Sequence, residues 1–186
     1  KGSLIGVPGL FKCWRKGNVG ILNAIGTGIA DDKVVYSYVN KMIVYYLGEQ
    51  PILNQVETYL CHDEVQKNYV IENISKLVVK PANASGGYGI MIGPKAPKEE
   101  REEVIKKIKK NPREYIAQPL ETLSTAPTIT KDDIEPRHLD LRPFILSGKS
   151  TYVTTGGLTR VALRKGSTIV NSSQGGGSKD TMVVDI

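Results

Sequence analysis

The spacing of apolar residues along the chain changes in character near residue 76. Before that point, apolar residues recur at helical spacing through VVYSYVNKMIVYYL, which predicts a helix that Asp31 and Asp32 begin and Gly48 ends. A second helix is predicted over residues 63–73, and a short strand over 19–22. The first part of the chain, residues 1–75, is therefore expected to consist of helices and loops.

From residue 76 onwards, the apolar positions follow the two-residue period of β-strands. The predicted strands are KLVVK, YGIMIG, EYIAQ, LRPFIL, STYVTT, LTRVAL, STIVN and TMVVDI. One helix is predicted among them at 99–110, since EEREEVIKKIKK has its acids in the first turn and its lysines in the last, as the helix dipole favours. The pattern predicts an α+β fold, with mixed or antiparallel sheets and flanking helices in a β-rich portion over 76–186.

Composition narrows the class of protein. The 186 residues are 40% hydrophobic, enough to bury a core, and their 25 Lys and Arg against 19 Asp and Glu give a net charge of +6. This charge favours anionic partners such as nucleotides, but the basic residues are scattered and show no nucleic-acid-binding pattern. No apolar run is long enough to span a membrane. The two cysteines, Cys13 and Cys61, lack metal-site spacing, and this usage suits a reducing cytoplasm.

The stretch VVKPANASGGYGIMIG, residues 78–93, places a lysine at the end of a predicted strand and a glycine-rich turn after it. Backbone N–H groups of Gly86, Gly87 and Gly89 would approach an anion closely because glycine lacks a Cβ. Lys80 would add a positive charge. The same residues also fit an ordinary β-hairpin with a surface lysine. Two other phosphate-binding patterns, the Walker loop and the Rossmann fingerprint, are excluded because neither is complete in any glycine cluster of the chain.

Six blocks spread over nearly the whole chain carry a resemblance to a known family. They are GVPGL, NAIGTGIADDK and IVYYLGEQPIL near the start, and PRHLDLRPF, GGLTRVAL and VNSSQGGGSKDT towards the end. Together they resemble the circularly permuted ATP-grasp proteins of bacteria. The resemblance implies a permuted ATP-grasp fold and a ligase that uses ATP and Mg2+. It also implies that a carboxylate receives the γ-phosphoryl group and that an amine attacks the acyl phosphate, which forms a peptide-like C–N bond.

The resemblance assigns residues to the nucleotide as well. Lys33 and Lys80 resemble the lysines that neutralise its phosphates, and SGGYG resembles the mobile glycine loop that closes over them. The block YIAQPLE resembles the strand and hinge that hold adenine. Main-chain atoms from Gln118 to Leu120 would then read the base, and Glu121 would take the ribose.

Two arginines are the candidates for catalysis. Arg142 and Arg160 lie in blocks that resemble the region offering arginines to the acyl phosphate, and arginine clamps oxygens bidentately, which lysine does not. Each has a structural alternative: Arg142 would form an ion pair with Asp140 or Glu135, and Arg160 would be solvated. The residues assigned to the second substrate are Asn171, Gly175, Gly176 and Gly177, with a turn and a flexible loop as the alternatives.

The metal element of the family resembles Ile21-Leu22-Asn23. Asn23 matches a magnesium ligand, but Ile21 stands where a glutamate is expected, and an apolar side chain cannot bind a hard cation. Two hypotheses follow: a ligase that acts on an unidentified carboxylate and amine, or a degenerate nucleotide-binding homologue that acts as an interaction subunit. The family carries an acidic segment before this point, so the chain is expected to be the C-terminal part of a longer protein. Both hypotheses are compatible with a homo-oligomer.

Overall fold

The computed structural model describes residues 6–23, 25–84, 86–131, 133–162, 164–168, 170 and 176–184. The chain forms two compact units, Lys1–Glu57 and Thr58–Ile186. The predicted boundary lies later, between residues 75 and 76. The difference arises because Val70 of the helix that precedes residue 75, and Ile74 just after that helix, pack in one buried cluster with the strand that follows.

The first unit is built from short helices. They are α1 (Leu10–Arg15), a 3-10 helix (Thr27–Asp31), α2 (Lys33–Tyr36) and α3 (Val39–Leu47). Helix α1 was not predicted, and residues 19–22 do not form the predicted strand.

The long helix predicted between residues 31 and 48 is in fact two helices. Asp32 caps the first, since its side chain accepts the N–H of Val34 at 2.9 Å. The break follows at Ser37, whose hydroxyl donates to the carbonyl of Val34 at 2.7 Å and so competes with the helical backbone bonds. Gly48 ends the second helix in the left-handed conformation, with φ of 67°, as predicted.

The second unit begins with a four-stranded sheet. Its strands are β1 (Tyr59–Leu60), β2 (Leu77–Pro81), β3 (Met91–Ile92) and β4 (Tyr115–Pro119), and they pair antiparallel in the order β1-β4-β2-β3. Helices α4 (Glu64–Glu72) and α5 (Lys98–Lys110) confirm the two helices predicted in this region. A 3-10 turn, Pro112–Glu114, leads from α5 into β4.

The core of this unit lies between the first sheet and its helices. From α5, the predominantly charged helix, the fully buried Ile108 reaches this core, with Val104 and Ile105 packed beside it, so the narrow apolar stripe read from the sequence is the packing face. The buried cluster consists of Cys61, Val70, Ile74, Leu77, Val79, Met91, Ile108 and Ala117.

A second antiparallel sheet follows, with strands in chain order. They are β5 (Thr125–Ile129), β6 (Ile134–Ser147), β7 (Thr151–Val161) and β8 (Gly177–Met182). STYVTT and LTRVAL, predicted as two strands, join in the single strand β7, and the predicted STIVN strand is absent from residues 167, 168 and 170. All strand pairs of the described residues are antiparallel, which confirms an α+β fold of antiparallel sheets with few helices.

Candidate functional site

Lys80 lies next to last in β2 and is held by a chain of hydrogen bonds. Its ammonium donates to Oε1 of Gln118 at 2.6 Å, and Nε2 of Gln118 donates to the hydroxyl of Thr58 at 2.8 Å. Gln118 is only 7% exposed, so its amide cannot turn freely towards water. An ammonium only donates hydrogen bonds, and the glutamine must therefore present its oxygen to Lys80 and its NH2 group to Thr58.

The glycine loop connects β2 to β3 at the same end of the first sheet. Gly86, Gly87 and Gly89 have φ values of 70°, 80° and 72°, a conformation that side-chain-bearing residues rarely adopt. A Cβ added at Gly89 would lie 3.0 Å from Cγ of Pro81, the residue after Lys80. The loop therefore folds back onto the strand end that carries the lysine, and the lysine is a half-buried, hydrogen-bonded group.

The strand assigned to adenine is β4, with its hinge. Gln118 pairs through its backbone with Val78, while Leu120 follows the strand at 37% exposure and Glu121 is exposed. The sequence assigned a role to the main chain of Gln118, whereas the structure shows that its side chain holds Lys80. The signal for this was a polar residue inside the apolar strand YIAQP, at a position that the sheet buries.

Arg160 and Asp140 form a bidentate ion pair across β6 and β7. They are direct partners in the register, and Nε of Arg160 donates to Oδ1 of Asp140 at 2.8 Å while Nη2 donates to Oδ2. This hydrogen bonding raises the pKa of Arg160 above its ordinary value. The alternatives given for the two arginines are thus wrong. Arg160 is not simply solvated but pairs with Asp140, and Glu135, the other partner considered for Arg142, pairs with Arg137.

Arg142 is exposed and stands opposite Leu158. Because side chains alternate between the two faces of a strand, Asp140, Arg142 and Arg160 share one face of the second sheet. Both predicted catalytic arginines are therefore on the same surface, with one of them fixed by a carboxylate and the other open to solvent.

The candidates for the second substrate fall at the start of β8. Asn171 and Gly175 lie outside the described residues, Gly176 is half-buried, and Gly177 is the first residue of β8. Gly177 lines a cavity of about 450 Å³ beside Lys179, a residue two positions further along the strand.

Asn23 and Lys33 belong to the first unit. Asn23 is the one non-glycine residue of the described chain with a positive φ, 61°, a conformation that asparagine tolerates. Asn23 is exposed, and Ile21, two residues before it, is half-buried. Lys33 begins α2. Within the described ranges, no group of three or more acidic, histidine or cysteine side chains lies close enough together to hold a metal ion.

His138 and Cys61 have structural surroundings. Nδ1 of His138 lies 2.9 Å from the carbonyl oxygen of Leu123, at the point where the chain enters the second sheet. Cys61 is fully buried in the core, and desolvation raises the pKa of its thiol from 9.0 to about 11. A thiol with a raised pKa is a poor nucleophile, since the thiolate is the reactive form.

Comparison with known proteins decides the family. The model of the circularly permuted ATP-grasp type 2 family matches residues 1–162. The chain belongs to this family. An uncharacterized protein of Synechocystis is 58% identical over 98% of the chain, which covers 38% of that protein, and an uncharacterized protein of Mycobacterium tuberculosis is 51% identical, with 33% covered.

A third relative carries the name of an enzyme. A protein of Frankia casuarinae named putative glutamate–cysteine ligase 2-2 is 50% identical over 98% of the chain, which covers 21% of that protein. The chain thus spans between about a fifth and two fifths of the length of these relatives, consistent with a part of a longer protein. None of the helices in the described ranges combines the length and apolar character needed to cross a membrane.

Proposed function

We propose that this chain is part of an ATP-dependent ligase that joins a carboxylate to an amine. Membership of the ATP-grasp family and the ligase name of a relative that is 50% identical support the reaction class. The observation that carries the proposal is the placement of Lys80, tethered by Gln118 beside the glycine loop at one end of the first sheet. We assign the nucleotide to the β-rich portion, residues 76–186, of a permuted ATP-grasp fold.

The residues of this sheet end fit a nucleotide phosphate. Lys80 supplies a positive charge held in place, and the glycines supply a loop without side chains, through which backbone N–H groups approach an anion. When bound, ATP supplies the phosphoryl group that activates the carboxylate. Leu120 and Glu121 would contact the base and the ribose, and the family resemblance also assigns Lys33 to the nucleotide phosphates.

The arginine face of the second sheet fits the acid that is activated. Asp140 holds the guanidinium plane of Arg160, so that an oxyanion meets a group that is already oriented. Arg142 on the same face remains accessible for a bidentate contact. In the proposed reaction a carboxylate oxygen takes the γ-phosphoryl group of ATP and ADP leaves. The amine then attacks the acyl carbon, loses a proton and displaces phosphate. Asn171 and Gly175–Gly177 would contact the second substrate.

The described residues fit magnesium less well than they fit a nucleotide phosphate. Asn23 offers one amide oxygen, while Ile21 offers no ligand, and the described residues bring no cluster of acids together. No step above is therefore assigned to a metal. This observation favours, as a second candidate, a homologue that binds nucleotide without ligating. Under both candidate functions we place the protein in the cytoplasm, since Cys13 and Cys61 are both free thiols.

A calorimetric titration tests the proposal. The chain is titrated with ADP and with a non-hydrolysable ATP analogue, with and without Mg2+, and Lys80→Ala is compared with Lys76→Ala, which removes the same charge from an exposed position just before β2. We expect Lys80→Ala to weaken binding at least tenfold and Lys76→Ala to leave it unchanged, because a charge-assisted hydrogen bond contributes about 1.5–3 kcal/mol. Equal binding by both variants would place the nucleotide elsewhere. Binding without turnover on any acid and amine, in a full-length protein, would favour the second candidate.

A further inference from the structure

The face of the second sheet opposite the arginine pair carries a cavity of its own. The cavity has a volume of about 450 Å³ and lies between β5, β6, the end of β7 and the start of β8. The two outer strands of the sheet meet across it, since the ammonium of Lys179 on β8 donates to the carbonyl oxygen of Pro127 on β5 at 2.8 Å. The lining residues are Thr128, Ile129, Thr130, Arg137, Val161, Ala162, Gly177, Ser178 and Lys179.

The alternation of side chains separates this cavity from the arginine face. Arg137 is three residues before Asp140 on β6, and an odd separation places the two side chains on opposite faces of the strand. By the same count, Lys179 lies on the face opposite to Ser178, the direct strand partner of Arg160. The cavity is thus a second site, behind the surface on which we place the phosphorylated acid.

The charged groups around the cavity leave it positive. Arg137 and Lys179 both line it, and Arg137 donates through Nη2 to Glu135 at 2.7 Å. Glu135 also has Lys165 at 4.0 Å. Glu135 thus contacts Arg137 and Lys165, while Arg137 and Lys179 are the charged side chains that line the cavity. The guanidinium of Arg137 is held in place by Glu135, and only 13% of its side chain is exposed.

The remaining walls combine hydroxyl groups with a small apolar surface. Thr128 and Thr130 provide hydroxyls, and Val161 with Ala162 forms a buried apolar floor. A cavity of this size lies within the range of about 300–1,000 Å³ that small-molecule sites occupy. Two positive groups on different strands, with a short apolar surface between β6 and β8, suit a molecule with negative groups at both ends and methylenes between them.

We propose that the cavity binds a small dicarboxylate, or an amino acid with an acidic side chain, and that Lys179 and Arg137 each take one carboxylate. Binding of this acid does not depend on the ligase function proposed above, since the cavity lies on the face opposite to Arg142 and Arg160. A phosphate-bearing molecule shares the oxyanion chemistry, and inorganic phosphate is therefore one of the probes in the test.

An NMR titration of the uniformly 15N-labelled chain tests this. The probes are glutarate, L-glutamate, acetate and inorganic phosphate, each added alone and without nucleotide. We expect glutarate and L-glutamate to shift the amides of Thr128, Thr130, Ser178 and Lys179, and to bind at least tenfold more tightly than acetate or phosphate. Failure of glutarate to shift these amides, or phosphate binding as tight as that of glutarate, would overturn the proposal.

Three variants identify the charge responsible. Lys179→Met keeps the length of the side chain and removes its charge, and we expect glutarate affinity to fall tenfold to about a hundredfold, the range for a charge-assisted hydrogen bond. Lys179→Arg keeps the charge and should stay within a few-fold of the parent. Lys149→Met removes an exposed charge from the turn between β6 and β7 and should change nothing. Equal losses in Lys179→Met and Lys149→Met would point to a general charge effect and contradict the proposal.

The same spectra separate this proposal from the proposed function. ADP should shift the amides of Lys80 in β2 and Gly86 in the glycine loop, and not those of the cavity. Shifts with glutarate but none with ADP would support the cavity and count against the nucleotide site. Shifts with ADP but none with glutarate would do the reverse.

Discussion

Replacing Gln118 tests whether a buried amide orients the lysine that we assign to the nucleotide phosphates. Gln118→Leu removes the acceptor that lies 2.6 Å from Nζ of Lys80 and the donor that lies 2.8 Å from the hydroxyl of Thr58. Leucine is close to glutamine in size, so the 7%-exposed position stays filled. The change therefore removes two hydrogen bonds while leaving the packing of β4 largely as it was.

The magnitude follows from the charge on Lys80. A hydrogen bond to a charged group contributes about 1.5–3 kcal/mol, and the neutral bond to Thr58 about 1 kcal/mol. Lys80 is half-buried and recovers part of this by turning towards water. We expect the free energy of unfolding to fall by about 1–3 kcal/mol and the affinity for ADP to fall about tenfold, because the ammonium no longer has a fixed position. Urea denaturation and calorimetric titration measure the two effects.

A double-mutant cycle shows whether the loss of affinity passes through the lysine. If Gln118 acts by holding Lys80, Gln118→Leu should weaken ADP binding in the parent and have no further effect in the Lys80→Ala background. Additive losses would mean that the Gln118 side chain acts on the nucleotide independently of Lys80. Unchanged ADP affinity in Gln118→Leu alone would refute the orienting role.

Two further predictions concern the core of the second unit. Gly93→Ala should lower the free energy of unfolding by roughly 3 kcal/mol, because its Cβ would overlap the carbonyl oxygen of Ile74; Gly177→Ala, where the added Cβ meets nothing within 4 Å, should cost little in the same urea denaturation. The thiol pKa of Cys61 is about 11 in the folded chain against 9.0 ordinarily, so its stabilisation is complete below pH 9 and is lost as the pH rises through 11. Unfolding free energies should thus fall by up to about 2–3 kcal/mol between pH 9 and 11 in Cys13→Ala but by less in Cys61→Ala, and parallel pH profiles of the two variants would contradict the assignment.

Local signals in the sequence were enough for the helices and strands that carry their own boundaries. The charge gradient and three apolar residues were enough to predict helix α5, and the glycine at position 48 correctly predicted the end of α3. The break at Ser37 was missed because the hydroxyl competes with the backbone only once the turn has formed. Strand β1 was missed because two residues carry no period, and its pairing with β4 lies far along the chain.

The candidate site shows the same division between local and distant information. The glycine loop was predicted from the residues that follow Lys80 in the sequence, and the structure shows three of its glycines in the left-handed conformation. The tether on Lys80 joins residues 38 positions apart in the sequence, and no local pattern identifies Gln118 as its partner. The pairing of Arg160 with Asp140 likewise depends on which residues the register of two strands places opposite one another.

The register that sets Asp140 against Arg160 is influenced by residues next to Arg142. Gly157 stands opposite Pro143, and a Cβ on it would lie 3.0 Å from the carbonyl oxygen of Arg142, so a side chain there would press against the neighbouring strand. Pro143 cannot donate a ladder hydrogen bond, and the pairing shifts between Pro143 and Ile145. The shift lies just beyond Arg142, so the register that sets Asp140 against Arg160 holds only on one side of it. A slip by one residue would turn Asp140 and Arg142 of β6 to the face away from Arg160 of β7 and so divide the arginine pair. The short sequence RPF and the glycine opposite it thus fix which basic residues share a surface, and through that the surface to which we assign the activated acid.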